Sequence, residues 1–242
     1  MLRVENAAVR FGGVQAVNDM SLECPPGRVT GLIGPNGAGK TTLFNIITGL
    51  QRPDSGRVLL GDRDLTRLPA QRRARAGLAR TFQRLEVFGS LTVRENVLLA
   101  AELKRGLSRK GEAATEIADR LLARVGLTAL ADSQAGALPT GSARLLELAR
   151  ALATDPSALL LDEPGSGLSE NESAALGDLL LSLAAEGMSV LLVEHDVELV
   201  MRVCQHVYVL DFGELLCEGP PAYVQSDARV QAAYLGAELA TA

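Results

Sequence analysis

A chain of 242 residues, 47% of them hydrophobic, is long enough to bury a large core in one or two domains. Its net charge of −5 disfavours a surface built to wrap nucleic acid, whose phosphates attract basic patches. Cys24, Cys204 and Cys217 are odd in number and lack C-x-x-C spacing, which argues against a disulfide framework or a zinc site and points to a reducing compartment.

The opening stretch, MLRVENAAVRFGG, carries charges and no apolar h-region, so no signal peptide is expected. No apolar run approaches the roughly 18 residues of a membrane span. The expectation is a soluble chain that docks onto a spanning partner if it works at a membrane. Val29–Ile33 reads as a buried strand. After a glycine-rich turn, Leu43, Phe44, Ile46, Ile47 and Leu50 follow helical spacing, and Gly49 and Pro53 punctuate its end. Arg57–Leu60 is a short strand, placed in an antiparallel patch with the N-terminal strands. Leu91–Gly126 is rich in Ala, Leu, Glu, Lys and Arg, with Ile117, Leu121, Leu122 and Val125 on one face, and predicts a helical insert. Ala158–Leu161, Ser189–Val193 and Val207–Leu210 return to strand. Ser169 and Glu172 form a capping box before Leu176, Leu179, Leu180 and Leu183. Asp196 is a plausible N-cap. The tail from Gly219 carries weak helical signals. Strands alternating with helices make this an α/β chain.

Gly34-x-x-x-x-Gly39-Lys40-Thr41 matches the P-loop pattern in full, with Pro35, Asn36, Gly37 and Ala38 inside it and Thr42 behind. Glycines let the backbone turn its N–H groups onto phosphates, and the following helix adds its N-terminal dipole. Lys40 would reach the β- and γ-phosphates of ATP, and the Thr41 hydroxyl would bind Mg2+. Leu159-Leu160-Leu161-Asp162-Glu163 is an apolar strand ending in two carboxylates. Asp162 would hold Mg2+ through water. Glu163 would orient or deprotonate the attacking water, a step contributing about 10²–10⁴-fold. Alone, such a pair reads as a solvated strand end, and the P-loop upstream reverses that reading. His195 follows a strand at the edge where α/β folds bind ligands. His206 has no such setting and reads as structural.

Together these residues resemble the ABC ATPase family, over essentially the whole chain. The resemblance implies a P-loop NTPase of ABC type. Its parts would be a RecA-like core with an antiparallel β patch (1–83 and 154–218), a helical subdomain at 84–153 and a tail at 219–242. It makes Gln83, in Arg80-Thr81-Phe82-Gln83, the Q-loop glutamine that contacts Mg2+ and couples to the membrane subunit. Glu163 and His195 match the catalytic glutamate and switch histidine. Phe11 matches the aromatic that stacks on adenine, with Val17 beside it. Within the family the likeness is strongest to the Liv-type subunits of branched-chain amino-acid importers, through GLARTFQRLEVFGSLTVRENV, VLLVEHDVELVMRV and AAYLGAE. The ATPase of lipopolysaccharide export shares some of these features. The implied partners are a second ABC ATPase subunit, integral membrane permease subunits docking near Leu85–Glu95 and, indirectly, a solute-binding protein. The implied place is the cytoplasmic face of the inner membrane.

The family's signature motif, Leu-Ser-Gly-Gly-Gln, binds the ATP held by the opposite subunit of a head-to-tail dimer. Here it reads Leu138-Pro139-Thr140-Gly141-Ser142. Proline has no capping side chain but suits a helix start. Thr140 offers a substitute N-cap hydroxyl, Gly141 its backbone N–H, and Ser142 is shorter than glutamine. This degeneracy favours a heterodimer with one slower site. A non-transport ABC ATPase acting on nucleic acid is the rival reading. It rests on arginines 67, 72, 73, 75 and 80, which read as a solvated surface without stacking aromatics.

Overall fold

The computed structural model describes residues 1–106 and 112–240. Part of the expected helical insert, 107–111, and the last two residues of the tail therefore lie outside the described residues. The chain begins with two long antiparallel strands, β1 (Leu2–Phe11) and β2 (Val14–Cys24), and a buried strand β3 (Arg28–Ile33). Helix α1 (Lys40–Thr48), strands β4 (Ser55–Leu60) and β5 (Arg63–Asp64), the short helix α2 (Ala70–Arg75) and strand β6 (Leu78–Arg80) follow. Then come α3 (Val93–Arg105), α4 (Ala114–Arg124) and α5 (Thr140–Leu152). The remainder alternates: β7 (Ala158–Asp162), α6 (Glu170–Ala185), β8 (Ser189–Val193), α7 (Val197–Val203), β9 (His206–Asp211), β10 (Glu214–Gly219), α8 (Pro221–Ser226) and α9 (Ala228–Ala240).

The strands form two sheets. One is antiparallel, in the order β2-β1-β4-β5. The other has the order β10-β9-β3-β8-β7-β6, parallel throughout except for β10 at its edge. A parallel strand covered on both faces reads as an unbroken apolar run, and Ala158–Leu161 and Val190–Val193 do so. Alternate residues serve two cores. Leu160, Leu191, Tyr208 and Leu210 face α1 and the antiparallel sheet, whereas Leu159, Leu161, Leu192 and Val209 pack with α3 to α8.

Two expectations need correcting here. Leu50 does not belong to the core face of α1. The helix stops at Thr48, Gly49 turns left-handed at φ 79°, and Leu50 is exposed. The arginine-rich stretch is also not uniformly solvated. Arg73 is only 2% exposed, and its guanidinium donates to the carbonyls of Ile46 and Ile47 at 2.7 Å and of Thr66 at 2.8 Å and Leu68 at 2.9 Å. The last carbonyls of a helix have no partner within it, and Arg73 supplies one for α1. Arg80 is drawn inward as well, to the site described next.

Candidate functional site

The phosphate loop, Gln83, the Asp162-Glu163 pair and His195 follow the C-terminal ends of parallel strands, where open α/β sheets bind ligands. β3 ends at Ile33 and gives way to the loop of Gly34–Gly39. Gly34 has φ 151°, and a Cβ there would lie 2.1 Å from the carbonyl oxygen of Leu210, so no other residue fits. The loop is fastened from outside. The Gly213 N–H donates to the Ala38 carbonyl at 2.9 Å, and the Asn18 N–H donates to the Gly213 carbonyl at 2.7 Å. This ties the β9–β10 turn and β2 to the phosphate loop.

The Lys40 ammonium donates to the Gly34 carbonyl at 2.5 Å and to the Pro35 carbonyl at 3.0 Å. Burial lowers its pKa below the usual lysine range, while the Glu163 and Asp162 carboxylates hold it up. Those carboxylates stand at the tip of β7. Asp162 is buried, and its Oδ2 accepts from Arg80 Nη2 at 2.8 Å. Arg80 also donates to Asn45 Oδ1 of α1 at 2.6 Å, and its guanidinium lies 5.3 Å from the ring centre of Phe44 and 5.0 Å from that of Phe82. Glu163 has a left-handed backbone, φ 51°, uncommon for a residue with a side chain. Its Oε1 is 2.8 Å from His195 Nε2, and Gln83 Nε2 lies 3.3 and 3.4 Å from its two oxygens.

A cavity of about 440 Å³ is lined by Asn36 to Thr42, Gln83, Asp162, Glu163, Val193 and His195 on one side and by Val14, Gln15, Ala16 and Phe212 on the other. Of the predicted residues, Asn36, Gly37, Ala38, Gly39, Lys40, Thr41, Thr42, Gln83, Asp162, Glu163 and His195 thus converge on one space. Gly34 and Pro35 lie behind it and hold Lys40. Thr41, Gln83 and Asp162 offer hard oxygen donors suited to Mg2+, which ordinarily takes one or two carboxylates and the substrate's phosphates. No cluster of three His, Cys, Asp or Glu able to hold a metal occurs among the described residues, so the phosphates would complete any such site.

The adenine end differs from expectation. Val17 is fully buried, 0% exposed and packed with Val9 and Met20, because strand alternation turns it inward. It cannot touch a base. Val14, Gln15 and Ala16 border the cavity instead. Phe11 is half exposed at the end of β1, opposite Val14, and does not line the cavity. Phe212, which the sequence reading passed over, does line it. It is 86% exposed at φ 45° on the β9–β10 turn. Apart from an Asp-Phe-Gly turn between two strands, nothing in the sequence marks it.

The signature segment lies elsewhere, at the start of α5. Pro139 is the N-cap and makes no side-chain cap bond, so Thr140 is already the first helical residue and not the substitute cap. A Cβ at Gly141 would come within 2.8 Å of Leu168 Cδ2, so α5 starts flush against the loop that follows Glu163. Leu138 packs partly buried against the larger core, and Ser142 is half-buried next to Ala143. These residues do not line the cavity. Sequence reasoning also missed Glu194, a buried carboxylate beside His195, and Arg80 as the partner of Asp162. Burial pushes Glu194 above the usual carboxylate range, against the N–H groups of Gly165, His195 and Asp196, which pull it back.

A family model described as "ABC transporter" matches residues 17–166. One described as "Branched-chain amino acid ATP-binding cassette transporter" matches residues 214–240. The chain is 41% identical over 249 aligned positions, covering 98% of each chain, to the high-affinity branched-chain amino acid transport ATP-binding protein LivG of Escherichia coli K12. It is 34% identical, over 98% of this chain and 97% of the other, to the lipopolysaccharide export system ATP-binding protein LptB of Haemophilus influenzae. The crystal structure of the ADP conformation of MJ1267, an ATP-binding cassette of an ABC transporter, superposes with a TM-score of 0.88 at 34% identity, over 98% of each chain. With its phosphate loop, paired carboxylates and whole-length likeness, this chain belongs to the ABC transporter family, as one of its ATP-binding, ATP-hydrolysing proteins.

Proposed function

We propose that this chain powers the import of branched-chain amino acids or similar small solutes, as the ATPase of a transporter at the cytoplasmic face of the inner membrane. The carrying observation is the convergence of Lys40, Thr41, Gln83, Asp162, Glu163 and His195 on one cavity from four separate segments. Lys40 would exchange the Gly34 and Pro35 carbonyls for the β- and γ-phosphates. Thr41 and Asp162 would hold Mg2+, whose chemistry is to neutralise phosphate charge as it develops. Glu163 would orient the attacking water and take up its proton, with His195 and Gln83 setting the direction of its carboxylate. Phe11 would supply the aromatic face for adenine.

The cargo reading rests on the likeness to LivG and on the 214–240 match. The likeness to LptB keeps lipopolysaccharide export as the second reading. The nucleic-acid reading loses its footing, because Arg73 and Arg80 are committed inside the protein. A second ABC ATPase subunit would supply the signature for this chain's own site, and the degenerate Leu138–Ser142 would serve the other, slower one. The groove for the permease is an apolar cavity of about 360 Å³ lined by Leu50, Ala74, Phe82, Leu103, Glu86 and Arg150 among others. Only Glu86 of these lies within Leu85–Glu95. The decisive test is Glu163→Gln. Steady-state Mg2+-dependent hydrolysis should fall by about 10²–10⁴-fold while ATP binding persists. Unchanged hydrolysis would remove Glu163 from the catalytic role.

A further inference from the structure

Two loops carry the groups proposed for the water-attack step, and neither is held by regular structure at the place that matters. The loop after β7 begins at Glu163 in the left-handed region, a conformation that persists only where its surroundings enforce it. The loop after β8 carries His195, whose side chain is nearly half exposed. Between them sits Glu194, 5% exposed. Its Oε1 accepts from the Gly165 N–H at 2.6 Å, and its Oε2 accepts from the His195 N–H at 3.1 Å. A buried carboxylate needs such partners, since an unpaired one is costly. Here both partners are backbone groups of the catalytic loops.

The approach at Gly165 is close enough to exclude a side chain. A Cβ there would lie 2.9 Å from Glu194 Oε1 and 3.5 Å from Leu199 Cδ2. The Glu163 N–H donates to the Val193 carbonyl at 2.9 Å, one residue before Glu194. The two loops are therefore joined twice, once by backbone and once by the Glu194 carboxylate. Glu163 and His195, whose own backbone N–H groups make two of those bonds, are in side-chain contact at 2.8 Å.

We propose that Glu194 is a positioning residue for hydrolysis: its buried carboxylate locks the backbone of the loop after Glu163 to the backbone of His195, and so fixes the Glu163–His195 pair. Glu194 does not itself line the nucleotide cavity. Its effect belongs to the chemical step and not to binding. The inference rests on the roles proposed for Glu163 and His195.

The test is turnover by the assembled transporter beside the affinity of the same preparation for a fluorescent ATP analogue. Glu194→Gln keeps the shape but turns an amide N–H2 toward a backbone N–H. Gly165→Ala keeps Glu194 and wedges the loop off it. Both should lower kcat, by up to about 10²-fold for a misplacement near 1 Å, while the analogue's Kd changes by less than about twofold. Retained binding is also the control for folding. Unchanged kcat in both variants, or a Kd that rises in step with the loss of kcat, would overturn the proposal. Glu163→Gln in parallel separates the two readings. If it retains turnover, the catalytic assignment itself is wrong. If it abolishes turnover while Glu194→Gln and Gly165→Ala do not, only the positioning role fails.

Discussion

Asp162 shows how one side chain at the end of β7 draws in others. Its carboxylate is buried, and Arg80 answers it while also reaching Asn45 on α1. Removing one partner of a buried ion pair strands the other charge. Arg80→Ala should therefore destabilise the protein by about 3–5 kcal/mol, read as a lower midpoint in urea denaturation. Arg80→Lys should recover part of this, since an ammonium lacks the planar fork that serves Asn45 and Asp162 together. The cysteines make a second prediction. Burial pushes the Cys24 and Cys204 thiols up to about 12, and Cys217 is also raised and buried. Since the thiolate is the reactive form, a disulfide reagent near neutral pH should leave the native protein almost unlabelled and titrate all three thiols once it is unfolded. Asp162 and Glu163 were legible in the sequence because an apolar strand ends on them. Arg80 and Arg73 were not, because a charge in a run of arginines looks the same whether it meets water or a buried acceptor.

At the level of elements, helix starts were written locally. Ser169 and Glu172 cap α6 reciprocally, and Asp196 caps α7 by accepting from the Leu199 N–H at 3.1 Å. Thr92 and Glu95 do the same for α3 with the same spacing, a signal present in the sequence and not read there. The Thr92 and Ser169 N–H groups hold the Glu95 and Glu172 carboxyls below the usual range. A lowered folded pKa means stability present above the ordinary carboxylate range and lost as pH falls through the lowered value. Glu172→Gln should thus weaken the protein near pH 7 and flatten its loss of stability toward about pH 3, in urea titrations at both pH values. Glu147 and Glu194 act with the opposite sign, since burial raises both and their ionisation costs stability as pH rises. Long-range contacts were not legible at this scale. Arg144 donates to the carbonyls of Phe82 and Gln83, Arg150 donates to that of Glu86, and Glu147 accepts from the Glu86 N–H at 2.7 Å. Helix α5 thereby grips the segment that begins with Phe82.

For the molecule as a whole, the groove beside that grip exposes Leu103 and Leu50, and an exposed apolar patch of this kind marks an interaction surface. Leu103→Glu should leave nucleotide affinity unchanged and reduce co-purification with the membrane subunits, scored by pull-down. Asymmetry between the two ATP sites is a separate expectation. Glu163→Gln here should depress turnover of the heterodimer more than the matching change in a partner whose site relies on Leu138–Ser142. Equal losses would refute it.

The sequence by itself determined what is short-range or chemically unmistakable: the phosphate loop, the Asp162-Glu163 strand end, the α/β alternation and the caps of α6 and α7. Hydrophobic period and capping spacing act over a few residues, so one chain suffices to read them. Only the tertiary structure decided that Val17 turns into the core while Phe212 borders the cavity, that Arg73 and Arg80 are internal, and that Glu194 joins the loops after β7 and β8. Each of these depends on which segment is packed opposite, and a buried polar group shows its purpose only when the donor or acceptor that satisfies it, often many residues away, has been brought beside it.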